Sequence, residues 1–163
     1  DLPYLPRFGI RMFLPEACQR TEYFGYGPME SYVDKHHAAT LGVFSTTPWE
    51  NHEDYIKPQE NGSHYGCLYV LLADEASGGL AVLGEEPFSF TVSPYTQEAL
   101  TDTAHNFELE PYGDTVLCVD MAQSGLGSNS CGPQLLEKYR LDAGTFSFRV
   151  ELVPFISNKG ENA

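Results

Sequence analysis

Residues 145–154, TFSFRVELVP, set the fold class of this chain. Phe146, Phe148, Val150 and Leu152 alternate with Thr145, Ser147, Arg149 and Glu151, the period of a strand with one face on a core and the other in water. Such alternation belongs to antiparallel sheets, because parallel strands are covered on both faces and read as unbroken apolar runs. Segments of the same kind recur outward from it: LPRFGIRMFLP (5–15), GCLYVLLAD (66–74), FSFTV (88–92) and TVLCVDMA (115–122). Each is rich in aromatic and β-branched residues and ends at Gly, Pro, Asp or Asn. The convincing helical stretch is SPYTQEALTDTAH (93–105), where Ser93 suits the cap, Pro94 the first helical position, and Tyr95, Ala99 and Leu100 one side. The expected fold is all-β, an antiparallel β-sandwich with long loops.

With 163 residues and 42% apolar composition, the chain supports one core and one domain. Nine basic against 23 acidic residues give a net charge of −14, which excludes a phosphate backbone or an anionic membrane as partner. No apolar run approaches the roughly 20 residues of a membrane span, and DLPYLPRFG lacks the basic start and apolar stretch of a signal peptide, so a soluble protein is expected. The absence of an initial Met suggests a piece of something longer, and the closing SNKGENA reads as a frayed tail. Cys18, Cys67, Cys118 and Cys131 form no C-x-x-C pair, which argues against structural zinc and for reduced thiols. Cys67 and Cys118 sit in apolar runs and are expected in the core.

The titratable residues give weak signals of chemistry. His36 and His37 are adjacent and diverge on either a strand or a helix, so a shared metal is disfavoured. His52, His64 and His105 are isolated. Glu85 and Glu86 are neighbours in a turn, whereas sugar hydrolysis needs carboxyl groups on separate elements flanking the bond. Turn chemistry explains Glu30, Glu60 and Glu110. The Asn61-Gly62 pair reads as a turn rather than a glycosylation acceptor.

GLGSNSCGP, residues 125–133, has no basic residue between Asp120 and Lys138, so it is no Walker-type phosphate loop. Pro133 follows too soon for a dinucleotide-binding helix. Cys131 has no nearby cation or helix start to make it a nucleophile. What survives is a long loop of small residues on a well-defined strand, placed where loops meet ligands.

LPRFGIRMFLP, YFGYGPMESYVDK, PQENGSHYG, FSFTVSPYTQEALTDTAH, GLGSNSCGP and YRLDAGTFSFRVEL, in this order, resemble the C-terminal, small-chain region of the bacterial β-galactosidases of glycoside hydrolase family 2. The resemblance implies residues 5–155 as part of a supersandwich domain similar to galactose mutarotases, with 156–163 as a tail. It implies a parent that hydrolyses β-galactosides such as lactose with retention, using two glutamates on a (β/α)8 barrel with magnesium and sodium nearby. None of those residues or metal sites falls in this chain, which is expected to be inactive alone. The implied partners are the upstream domains of the same chain and the galactoside, in a homo-oligomeric, cytoplasmic bacterial enzyme.

In the family, the loop matching GLGSNSCGP reaches toward the active-site mouth, which singles out Gly125, Gly127, Asn129, Ser130 and Cys131 as the substrate-vicinity residues. Some members present a tryptophan there, where this chain has Cys131, leaving Asn129 or Ser130 to hydrogen-bond sugar hydroxyls. YFGYGPMESYVDK is implied to be mainly a loop feeding a strand, with Tyr23, Phe24, Tyr26 and Tyr32 as packing residues, Met29 and Glu30 at the surface, and Glu60 with His64 tying down the neighbouring loop. Two other classes remain open: a free-standing galactose-binding module using Trp49 or exposed tyrosines, and an epimerase pairing His105 with a glutamate across a cleft.

Overall fold

The computed structural model describes residues 3–74, 76–126 and 134–157. Its strands are β1 (Arg7–Leu14), β2 (Arg20–Gly27), β3 (Thr40–Thr46), β4 (Ser63–Asp74), β5 (Gly78–Ser93), β6 (Thr115–Gln123) and β7 (Val150–Ile156), with an α-helix, α1 (Gln97–Asp102), and two short 3-10 turns at Asn106–Glu108 and Glu137–Tyr139. All seven strands join one sheet in the order β1-β6-β5-β4-β2-β3, and β7 lies beside β5. Every pairing is antiparallel, as the alternation in the sequence requires. Among the described residues, no helix is long and apolar enough to cross a membrane.

The 16-residue β5 organises the sheet by changing partners along its length. Residues 78–84 pair with β7, and residues 89–93 pair with β6. Between them the ladder to β4 slips, with Leu83 opposite Tyr69 and Phe88 opposite Cys67. Pro87 fits this break because it has no N–H for a ladder, and Glu85 and Glu86 stand exposed in it.

One face of the sheet carries the core. Tyr23, Val70 and Val82 lie side by side across β2, β4 and β5 and are buried, as are Phe90 and Val119 across β5 and β6. Tyr23 joins the two groups, its ring meeting Phe90 edge-on at 5.0 Å and His64 at 4.2 Å. The thiols of Cys18, Cys67 and Cys118 are free and buried, as small apolar groups.

The opposite face is divided. Behind the second half of β5 and behind β6, residues Ser89, Thr91, Ser93, Val116, Cys118 and Asp120 are also buried. Here Arg11 reaches Gln97 and Glu98 of α1 at 3.0 and 2.6 Å, and Asn51 donates to the Val92 carbonyl at 3.0 Å, which fixes the covering segments. Behind β3, β2 and the first half of β5, Leu41, Val43 and Leu83 are 54%, 59% and 39% exposed.

Several elements differ from the sequence reading. The helix starts three residues later than its cap signal, because Ser93 ends β5 and its hydroxyl accepts from the Tyr95 N–H. Thr96 is the actual cap, accepting from Ala99 N–H at 3.1 Å. In 145–154 the ladder begins only at Val150: Phe148 and Val150 pack on the core, but Leu152 is 46% exposed at the sheet margin. Residues 20–27 form a full strand rather than a loop. Gly25 and Gly27 are its inward positions because Cys67 Sγ and the Tyr23 hydroxyl occupy the space a Cβ would take. Ile156, assigned to the tail, still pairs with Gly78, and residues 158–163 lie outside the described residues.

Candidate functional site

The stem of the Gly125 loop stands where β6 ends, and three other segments converge on it. The Ser124 hydroxyl donates to the Leu5 carbonyl at 2.7 Å and accepts from Leu141 N–H at 2.9 Å, while Leu5 N–H reaches the Leu141 carbonyl at 2.8 Å. Gly125 N–H donates to the Tyr139 carbonyl at 2.9 Å, and Leu126 N–H to Asp34 at 3.2 Å. A Cβ at position 125 would meet the Asp34 carboxylate, which would then have to shift. Both stems of the loop are thus tied, to each other and to the β2–β3 connection. Of the singled-out residues, Gly125 is in this stem; Gly127, Asn129, Ser130 and Cys131 lie outside the described residues.

The connections beneath are joined by Glu30. Its side chain is only 7% exposed and accepts from Lys35 at 2.5 Å, from the Tyr55 hydroxyl at 2.7 Å and from Gly62 N–H at 3.0 Å. Burial pushes the Glu30 carboxyl up, but these donors together outweigh it and hold the group below its ordinary range. Glu30 is therefore an internal clamp rather than a surface candidate. Gly62 has a φ of +68°, which suits glycine, and Asn61 is buried, its amide tied to Gln59 and Glu53, in keeping with the turn reading.

A second clamp joins β1 and β6 to the same connection. Arg7 meets Glu60 at 2.6 Å and Asp120 at 3.6 Å, and Gln123 donates to Asp120 at 2.7 Å. Burial pushes both the Glu60 and the Asp120 carboxyls up, and Arg7 offsets only part of this because one cation serves two carboxylates. The expected Glu60–His64 tie is replaced by two separate ties. Fully buried His64 instead faces Asn51 Oδ1 at 2.7 Å, and burial pushes its ring down to about 4 despite the Tyr26 carbonyl and Glu30 nearby.

A hollow of about 220 Å³ is lined by Val33, Tyr65, Pro87, Ser89, Met121 and Gln123 among others. His36 and His37 stack at 4.9 Å near it, with His36 held to the Tyr32 carbonyl at 2.8 Å. This chemistry holds loops in place: Glu30 accepts from several donors, Glu60 pairs with Arg7, and Glu85 pairs with Arg149 at 3.1 Å on the exposed strand break. His105 contacts its own neighbour Glu108 at 3.1 Å and is exposed, so no glutamate faces it across a cleft. Among the described residues no three His, Cys, Asp or Glu side chains converge as metal ligands.

The sequence pointed to the loop but not to its support. Asp34, Arg7, Tyr55 and Asp120 carry no local motif; each acts on a residue far along the chain. The one readable hint was Lys35, five positions after Glu30.

Residues 1–152 match the family described as the β-galactosidase small chain. The chain is 55% identical over 153 residues to a β-galactosidase of Actinobacillus pleuropneumoniae, covering 94% of this chain and 15% of that protein. It is 45% identical over 153 residues to a β-galactosidase of Staphylococcus xylosus, covering 93% and 15%. It is 34% identical over 151 residues to one of Kluyveromyces lactis, covering 92% and 14%. The chain thus spans about 15% of the length of these curated relatives.

Proposed function

The chain belongs to the β-galactosidase small-chain family, and from that premise we propose that it is the C-terminal part of an enzyme hydrolysing terminal β-D-galactosides such as lactose. Hydrolysis proceeds with retention in this reading, on a carboxyl pair that other domains of the parent supply, along with its magnesium and sodium. The present residues have two duties: they support the assembly, and they hold the loop of residues 125–133 at the active-site mouth. The parent is a cytoplasmic homo-oligomer.

The observation that carries the loop's role is the double anchoring of its stems through Ser124, Gly125 and Leu126. Such a base limits the ordering cost when a loop meets a ligand. The exposed apolar rows at Leu41, Val43 and Leu83 support the assembly role, since a surface of that kind fits another part of the parent chain.

In the full-length parent, Cys131→Trp should change affinity for the leaving-group sugar more than for galactose, because an indole adds a stacking face beyond the galactosyl position. Unchanged kinetics on both lactose and an aryl galactoside would remove the loop from the reaction. Galactoside hydrolysis by the purified 163-residue chain would refute the assignment of the carboxyl pair to other domains.

A further inference from the structure

The Gly125 loop leaves β6 through two consecutive amides that are held by different parts of the chain. Gly125 N–H is bound by the Tyr139 carbonyl, which belongs to the loop's own returning stem, and Leu126 N–H by the Asp34 carboxylate, which belongs to the β2–β3 connection. We propose that Asp34 is a positioning residue for the galactoside reaction, fixing the direction in which the loop leaves the sheet. The inference rests on the reading above that this loop stands at the active-site mouth.

The tie is a long one. In the sheet β6 and β2 are separated by β5 and β4, so the β2–β3 connection reaches across three strand spacings, roughly 14 Å, to meet the loop. A stem bonded only to itself can swing about its base on β6. A contact at Leu126, from an element that does not move with the loop, removes that freedom. The carboxylate touches both residues of the stem: its Oδ1 takes the Leu126 N–H at 3.2 Å, and it lies against Gly125, within 2.7 Å of where a Cβ would stand. A charged acceptor also makes the stronger kind of bond to a backbone N–H.

Asp34 is itself firmly mounted. It sits in a tight turn closed by reciprocal backbone bonds between Tyr32 and Lys35 at 2.9 and 3.0 Å. Before the turn, buried Ser31 donates its N–H to the Ser63 carbonyl at 2.7 Å and accepts at its hydroxyl from Tyr65 N–H at 2.9 Å, which fastens the turn to β4. After it, Lys35 is held by Glu30, the clamp that also binds Tyr55 and Gly62. The path from sheet to loop is thus bonded at each step, from Ser31 and Glu30 to the turn and from Asp34 to Leu126. The direction of the loop is set before a ligand arrives, which lowers the ordering cost of binding.

In the full-length parent, Asp34→Ala should speed hydrogen exchange at the Leu126 amide by roughly tenfold, the effect of losing one bond to a charged acceptor. The KM for lactose should rise by roughly threefold to tenfold, while the inhibition constant of galactose stays unchanged, because the leaving-group sugar is the part that meets the loop. Asp34→Asn keeps an oxygen acceptor in the same place and should restore most of both. Unchanged exchange at Leu126 in Asp34→Ala, with Cys131→Trp still altering lactose affinity, would overturn the proposal and leave the loop's role standing. Faster exchange with an unchanged lactose KM would overturn both, since the loop would then lie outside the reaction. Equal losses for lactose and galactose, or equal losses in Asp34→Ala and Asp34→Asn, would reduce Asp34 to general support of the fold and overturn the proposal as well.

Discussion

The two halves of β5 share one strand and one core face, yet their other faces live in different solvents. Behind residues 89–93 the row of Ser89, Thr91 and Ser93 is polar in sequence and buried in fact, covered by α1 and the segment around Asn51. Behind residues 78–84 the neighbours Val43, Phe24, Tyr69 and Leu83 are apolar in sequence, and the row ends at Val43 and Leu83 are exposed. Residue type thus misstates burial on both halves. What decides it is whether the chain returns to cover the face, and among the described residues it does so for one half only.

The largest expected effect tests the shared core. Phe90→Ala should cost about 3–5 kcal/mol in denaturant unfolding, since it leaves a cavity beside Tyr23 and His64. Val43→Ala, on the uncovered half, should stay within about 0.5 kcal/mol in the separate chain. Similar losses at both positions would show that the uncovered half is closed in solution.

His64, on the core side of the covered half, should make stability pH-dependent. Its folded-state pKa is depressed from 6.5 to about 4, so the unfolded chain takes up the proton first. The associated stability is present above pH 6.5 and is lost as pH falls to about 4, in total about 3 kcal/mol. His64→Gln should flatten that slope in unfolding curves recorded across the window.

The clamp at the boundary has the reverse sign. The Glu60 and Asp120 carboxyls are raised, so their ionisation weakens the folded state as pH climbs. Arg7→Met should therefore destabilise by about 2–3 kcal/mol at pH 7 and by less near pH 5, where the two carboxyls take up protons more readily. A loss independent of pH would mean that Arg7 acts through packing alone.

The smallest effect in the separate chain sharpens the contrast most. Val43→Lys should leave its unfolding free energy within about 0.5 kcal/mol, yet in the full-length parent it should lower the melting temperature, because a lysine would be buried against the covering segment. Equal behaviour in both settings would leave this face solvated throughout.

Much of the fold was legible where a strand faces a core on one side and water on the other. Residues 7–14 of the first stretch, and all of 66–74, 88–92 and 115–122, fall in strands. β2 was not read as a strand because its inward positions include Gly25 and Gly27, whose reason lies in Cys67 and Tyr23 packed across from them. Leu152 follows the alternation but sits at the sheet margin, where it is exposed among the described residues. At the candidate site, the loop's composition marked residues 125–133, whereas its anchors were invisible because Asp34 is 92 positions from Leu126.

By itself the sequence determined the all-β antiparallel class, the acidic surface and the family, since each follows from local period, composition or ordered motifs. Only the tertiary structure decided which carboxylates are clamps and which half of the sheet is covered. The physical reason is that these properties belong to pairs of residues brought together by packing across the sheet and its connections. Their energies come from burial and from partners, and neither is written in the neighbouring residues.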